Sequence, residues 1–398
     1  MTISNLEKNE LHLGFIPLND CAPLVVAKEK GFFEKHGLRV NLHRESSWAT
    51  IRDRIVIGQL DAAQMLAPMP IASSLGLSSI KKAMIVPMVL GLNGNAITVS
   101  NELYQTLLAE DAQAMAEEPL SAHALKKLID REQAEGKPKR TLAMVFPFSM
   151  HNFQLRYWLA QAGINPDIDI HLVVVPPPQM VENLKQGHID GFCVGEPWNS
   201  YAVHENVGSV LITGYEIWNN SPEKVLGVTR DWAEQHPNTL RSLVAALYEA
   251  CMWIDKSENR NETSHLLTLP GYVEVPTETV ERSMAGGFRY REDSSLRTAP
   301  DFSVFHRYAA NFPWRSHAMW IIEEMKRWGQ VSLDIDVHKM ADTVFRPDLF
   351  RQSVSDFNIT LPSSDIKPEG LHKEPWQQQE SGVLLGPDMF FDGQVFTP

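Results

Sequence analysis

Residues 11–44, LHLGFIPLNDCAPLVVAKEKGFFEKHGLRVNLHR, decide the fold class. Leu11 to Pro17 alternates and then runs apolar, as a strand entering a covered sheet does. Asn19-Asp20 offers a helix cap before Ala22 to Lys30, and Gly31 ends that helix. A short turn over Phe32 to Leu38 leads into a second alternating strand, Arg39 to Arg44. The unit is strand, helix, strand.

The rhythm continues outward. Thr50 to Gly58 has helical spacing, and Leu60 to Leu66 reads as a buried strand before Pro68 and Pro70. Ile85 to Leu90 and Ala96 to Ser100 add strands, and repeated units of this kind predict a mainly parallel sheet covered by helices. A charged helix, His123 to Glu135, opens a second series: strand Thr141 to Val145, helix Asn152 to Ala162, strand Ile170 to Val175, helix Met180 to Lys185 and strand Gly191 to Val194. Leu211 to Thr213 is a candidate crossover, Lys224 to Thr229 a returning strand, and Asn238 to Lys256 a long helix. The expected division is a first lobe over 1–100, a second over 101–215, and a third stretch, 216–398, that returns to the first lobe and adds a helical extension. Trp314, Trp320 and Trp328 are expected to clasp that extension. One lobe interrupted by another needs two crossovers, and two crossovers make a hinge.

Composition narrows the function. With 398 residues the chain fits two lobes, each able to bury its own core, and 43% hydrophobic against 21% charged residues is ordinary for a globular protein. A net charge of −13 disfavours nucleic acid and anionic membranes as direct partners. It leaves room for an anionic ligand, because a few cations inside a cleft outweigh screened surface charge. Cys21, Cys193 and Cys251 are far apart, odd in number and without a CxxC pair, so they read as buried thiols. No window reaches the roughly 20 apolar residues of a membrane helix. The start, MTISNLEKNELHLGFIPL, has no leader pattern, so a cytoplasmic location is expected.

Phosphate-loop, dinucleotide, nucleophile-elbow and zinc-protease motifs are all missing. His12, His36 and His43 fall on different expected elements. No catalytic residue, metal ligand or cofactor is therefore assigned. Polar and aromatic residues do gather beside glycine and proline at expected strand ends, where open sheets present ligand sites. These are Ser47-Trp48, Leu92-Asn93-Gly94-Asn95, Ser149-Met150-His151, Gly195-Glu196-Pro197-Trp198-Asn199 and Pro222-Glu223-Lys224. Taken singly, Trp48 reads as a core aromatic, His151 as a surface residue at a helix start, and Lys224 as a solvated charge. The run Val175 to Met180, with three prolines, reads as a stiff connector.

Together these stretches resemble the nitrate- and bicarbonate-binding proteins of the cyanobacterial nitrate/bicarbonate ABC transporter family. The ordered blocks that carry the resemblance are HLGFIPLNDCAPLVVAKEKGFFEKHGL, SSWATIRDR, MLAPMP, LGLNGNAITVS, RYWLAQAGINPD, VVVPPPQMVENLKQGHIDGFCVGEPWN, NSPEK and FFDGQVFTP. The resemblance implies a type II periplasmic-binding-protein fold, two α/β lobes hinged around a ligand cleft. It implies ligand roles for Trp48, His151, Lys224 and Asn95, the last standing where the family carries glutamine, and Gly94 and Glu196 of the strand-end stretches complete the expected ligand set. Retention of His151 and Lys224 matches the nitrate branch and not the bicarbonate branch, so nitrate or nitrite is the implied ligand. With no leader, the chain is most similar to NasS-type cytoplasmic sensors. Their implied partner is an RNA-binding antiterminator of the NasT (ANTAR) type, released when the anion binds. The alternative is the receptor component of an ABC transporter.

Overall fold

A computed structural model describes residues 5–77 and 80–398. Ten strands carry the two lobes: β1 (Glu10–Phe15), β2 (Arg39–Arg44), β3 (Ala62–Leu66), β4 (Met84–Asn93), β5 (Asn95–Ser100), β6 (Thr141–Met144), β7 (His171–Val174), β8 (Gly191–Gly195), β9 (Gly208–Thr213) and β10 (Pro222–Thr229). One six-stranded sheet has the order Ser303–Val304, β4, β10, β3, β1, β2, and a five-stranded sheet has the order β7, β6, β8, β5, β9. In each, the parallel pairs (β1 with β2 and β3, β6 with β7 and β8) are joined by covering helices, as the opening stretch predicts. But β10 pairs antiparallel with β3 and β4, and β5 with β8 and β9, so the sheets are mixed and not mainly parallel as expected: both interlobe crossovers bring a strand back against the direction of the others. The strands at the middle of each sheet are buried along their length because helices cover both faces, so β4 reads MIVPMVLGLN without alternation.

The sheets are linked at two places. Strand β4 ends at Asn93 and β5 begins at Asn95, with only Gly94 between. The chain returns from β9 to β10 through residues 214–221. The expected boundary near Ser100 is therefore displaced: Asn95–Ser100 pairs antiparallel with β8 and β9 in the second sheet. Alternation reveals a strand but not its sheet, and the left-handed backbone at Asn93 (φ +62°) and Gly94 (φ +91°) turns the chain out of one sheet into the other. Likewise Leu211 to Thr213 is no crossover but the end of edge strand β9.

The long helix Pro237–Ile254 packs its apolar face over the first lobe with the helix Ala22–Glu29. The rest of the third stretch touches both lobes. Phe288 and Phe302, with ring centroids 4.6 Å apart, share a small core with Ala96, Val203 and Val210 of the second lobe. Trp320 lies 4.6 Å from Trp218 of the returning crossover, and Phe390 lies 5.6 Å from Tyr157 of the second lobe. Trp328 sits under Arg156 of the second lobe, and Trp314 packs on Phe312 in the first-lobe core. No helix among the described residues is long and apolar enough to cross a membrane.

Candidate functional site

Between the sheets, two helix starts face the end of β10. Ser47 caps the helix Trp48–Val56 by accepting from the Thr50 amide at 3.2 Å, and Ser149 caps Met150–Gln161 by accepting from the Asn152 amide at 3.0 Å. These caps place Trp48 and His151 in first turns, pointing inward. Strand β10 brings Glu223 and Lys224. Neighbours on a strand ordinarily point to opposite faces, but β10 changes register against β4 on both sides of Lys224, and the irregularity lets Lys224 Nζ donate to Glu223 Oε1 at 2.5 Å.

The Lys224 ammonium is wholly buried, lies 2.8 Å from Asp20 Oδ2, and stands 5.6 Å from the centre of the Trp48 ring. Gln64 Nε2 donates to Asp20 Oδ1, while its own Oε1 is held by the Ile16 amide at 2.9 Å. Asn95 Nδ2 donates to Glu223 Oε2 at 2.5 Å and lies 3.2 Å from Gln154 Oε1, and Gln154 Nε2 donates to Ser221 Oγ at 2.9 Å. His151 Nε2 is 3.6 Å from Glu223 Oε1, beyond hydrogen-bond reach, and both ring nitrogens are buried without a partner. Trp48 Nε1 and Asn95 Oδ1 are also buried and unpartnered. Gly195, at the end of β8, completes the cluster: a Cβ there would lie 3.4 Å from Asn95 Oδ1, 3.4 Å from Asp20 Oδ2 and 3.6 Å from His151 Nε2.

Of the six residues expected at the site, Trp48, Asn95, His151 and Lys224 converge. Gly94 contributes the crossover itself, its carbonyl accepting from the Glu196 amide at 2.9 Å. Glu196 joins the lobes through its backbone, since its carbonyl accepts from the Asn19 amide at 2.7 Å, but its carboxylate turns onto its own helix and accepts from the Ser200 amide at 3.3 Å. That departs from the expected ligand role. His151 and Lys224 are core residues of the interface, not surface charges. Asp20, read from sequence as a helix cap, makes no cap and faces Lys224 instead. Glu223 lies in the strand-end stretch Pro222-Glu223-Lys224 but carries no role in the sequence reading, and Gln64, Gln154 and Ser221 are not singled out. Their signal was a polar residue inside an otherwise apolar element, visible at Gln64 in AAQML.

A family model described as NMT1-like matches residues 4–268. The chain belongs to the NMT1-like family. Among its relatives, the nitrate/nitrite binding protein NrtA of a Nostoc species is 33% identical over 402 residues, covering 99% of this chain and 84% of that protein. The nitrate import ATP-binding protein NrtC of Synechocystis is 43% identical over 397 residues, covering 99% of this chain but only 54% of the relative, so this NMT1-like chain spans about half of that protein's length. The crystal structure of the periplasmic nitrate-binding protein NrtA from Synechocystis superposes with a TM-score of 0.87 at 30% identity, covering 99% of this chain and 97% of that one. The fold is the α/β periplasmic-binding-protein fold, and membership of this binding-protein family makes the chain a binder and not an enzyme.

Charge in the NMT1-like site is set by two carboxylates around one ammonium. Burial pushes the Asp20 and Glu223 carboxyls up, with Lys224 pulling them back. Burial opposes the Lys224 charge, but the two carboxylates outweigh it and hold the ammonium above its ordinary value. Burial, reinforced by Lys224, keeps the His151 imidazole well below its usual range and neutral. Elsewhere, His12 Nδ1 and His43 Nε2 approach to 2.9 Å, closer than their separation in sequence suggests. Among the described residues no group of three or more His, Cys, Asp or Glu side chains is placed to hold a metal ion.

Proposed function

We propose that this chain binds a small oxyanion, nitrate or nitrite, between its lobes, as the ligand-binding component of an anion importer. The observation that carries the reading is a set of buried donors converging where the lobes meet: the Lys224 ammonium, the Trp48 indole N–H and the neutral His151 ring, the last two unpartnered. Buried polar groups are seldom left without a partner unless something else occupies them. A planar anion with three acceptor oxygens fits such a set. Several relatives are named for nitrate and others for bicarbonate at comparable identity, so the choice of anion rests on His151 and Lys224. Four heavy atoms at the ceiling of about 1.5 kcal/mol each offer roughly 6 kcal/mol, a dissociation constant of tens of micromolar. Trp48, Asn95, His151 and Lys224 are sealed from solvent and Asp20 is only partly exposed, so entry requires the lobes to part at the Gly94 and 214–221 crossovers.

One observation favours a second reading, a ligand sensor on the ATP side of the membrane. The relative named as an import ATP-binding protein is 43% identical, against 33% for the one named as a binding protein. In that reading ligand closes the lobes and releases a partner that prefers them open, and the antiterminator implied by resemblance is one such partner. Calorimetric titration with nitrate, nitrite, bicarbonate and chloride tests the ligand. Heat with bicarbonate alone overturns it. Copurification from cells grown with and without nitrate distinguishes importer subunits from an antiterminator.

A further inference from the structure

We propose that the anion enters this site together with one proton, which Glu223 takes up, and that the Asn95 and Gln154 amides turn over as it does. The inference rests on the oxyanion reading and deepens it. In the present arrangement Asn95 spends its Nδ2 on Glu223 Oε2 and Gln154, and presents its unpartnered Oδ1 to the space beside Gly195. Asp20 Oδ2 faces the same space. An amide oxygen and a carboxylate oxygen are the wrong polarity for an acceptor-only anion. The charges conflict too, because Asp20 and Glu223 already oppose the single cation Lys224, and a third negative charge has no counter-ion.

One proton from solvent turns the amide conflict into a donor and restores the present charge of the site, leaving Asp20 Oδ2 on Lys224. Placed on Glu223 Oε2, it makes an O–H donor facing Asn95. The Asn95 amide then turns so that Oδ1 accepts from Glu223 and Nδ2 becomes a donor to the space beside Gly195. Gln154 turns likewise, its Nε2 donating to Asn95 Oδ1 and its Oε1 accepting from the Ser221 hydroxyl, which before the turn was the acceptor from Gln154 Nε2. Within the Glu223, Asn95, Gln154 and Ser221 chain each hydrogen bond is kept with its direction reversed, Asn95 Nδ2 is freed for the anion, no covalent bond other than the O–H forms, and Glu223 Oε1 still accepts from Lys224.

Asp20 cannot play this part. Its Oδ1 accepts from Gln64, and Gln64 cannot turn, since its Oε1 is pinned by the backbone amide of Ile16. The titratable groups facing Glu223 are Lys224 on its own strand, Asp20 from the turn after β1, His151 from the helix Met150–Gln161 and Cys193 from β8. Burial keeps the His151 ring and the Cys193 thiol neutral and raises the Glu223 carboxyl, which leaves Glu223 as the group among these whose charge changes with the Asn95 amide.

The full chain is titrated with sodium nitrate by calorimetry, at several pH values from 6 to 9 and in pairs of buffers with different ionisation enthalpies. The expected result is uptake approaching one proton per nitrate at the alkaline end, with affinity falling towards tenfold per pH unit there. Glu223→Gln, whose amide donates as the protonated acid does, is expected to bind without proton uptake and with affinity flat from pH 6 to 9. Nitrate heat in the unsubstituted chain that is independent of buffer, with an affinity flat across the range, overturns proton coupling and leaves the oxyanion reading standing. No heat with nitrate or nitrite at any pH overturns both. The buffer comparison on the unsubstituted chain decides the matter even where Glu223→Gln fails to fold.

Discussion

Lys224 Nζ lies 2.8 Å from Asp20 Oδ2, both groups turned inward and the lysine wholly removed from solvent. With Glu223 on its other side, this ammonium is the one counter-charge named for two buried carboxylates. Removing one partner of such an arrangement costs far more than the pair contributes, about 3–5 kcal/mol, because an uncompensated charge stays buried. Lys224→Met is therefore expected to lower the urea midpoint sharply. Burial raises the abandoned carboxyls, so the loss shrinks as the pH is lowered from 8 and protonation removes their charge. Restoring neutrality with Asp20→Asn and Glu223→Gln in the same chain is expected to recover most of the stability. A Lys224→Met chain as stable as its parent at pH 8 contradicts this account.

His151 gives the opposite pattern. Neither ring nitrogen has a partner within the chain, so the folded state gains little from its polarity. Replacing a buried, unsatisfied polar side chain by an apolar one of similar volume is close to neutral or stabilising, whereas losing its hydrogen bond to a bound anion costs roughly 1–3 kcal/mol. His151→Leu is expected to hold or raise the denaturation midpoint while weakening nitrate binding about 10- to 100-fold. Denaturation and calorimetry on one preparation separate the two effects.

The architecture was legible because the strand, helix, strand rhythm of 11–44 recurs, and because the predicted helix and strand positions follow from periodicity and caps. Membership of a sheet was not legible at Asn95–Ser100. Its alternation is the same whichever sheet it joins, and the deciding feature is the positive φ at Asn93 and Gly94. In the site, Trp48, His151 and Lys224 were reached through resemblance, since each alone passes for a core aromatic, a surface histidine or a solvated lysine. Asp20 was misread because a short acid before a helix is commonly a cap. Gln64 and Gln154 escaped because one glutamine in an apolar strand or a long helix carries no spacing signal, and only the fold sets them against Asp20 and Asn95.

Gly94 tests the crossover. Its φ of +91° is a conformation that side-chain-bearing residues rarely adopt, yet a Cβ there would meet nothing nearer than Ser303 Oγ at 3.8 Å. Gly94→Ala therefore isolates backbone strain from packing. It is expected to destabilise by about 1–2 kcal/mol. Equilibrium urea unfolding checks it, and a chain unchanged in stability shows that the crossover tolerates a side chain.

Glu196 supplies a pH dependence of known sign. Burial raises its carboxyl from 4.5 to about 7, only partly offset by hydrogen bonds from Ser200 and its neighbours. In the unfolded chain the group ionises near 4.5, so between that pH and about 7 the folded state holds a proton that the unfolded state has lost. The stability associated with the neutral acid is fully present below pH 4.5 and is lost as the pH rises to about 7, after which it changes no further. The total at stake is about 3 kcal/mol. Glu196→Gln keeps a neutral, hydrogen-bonding side chain at every pH. It is expected to match the parent near pH 4.5 and to exceed it in stability at pH 8. Parallel urea curves at the two pH values decide the point, and an identical pH dependence in both chains sinks the assignment of this loss to Glu196.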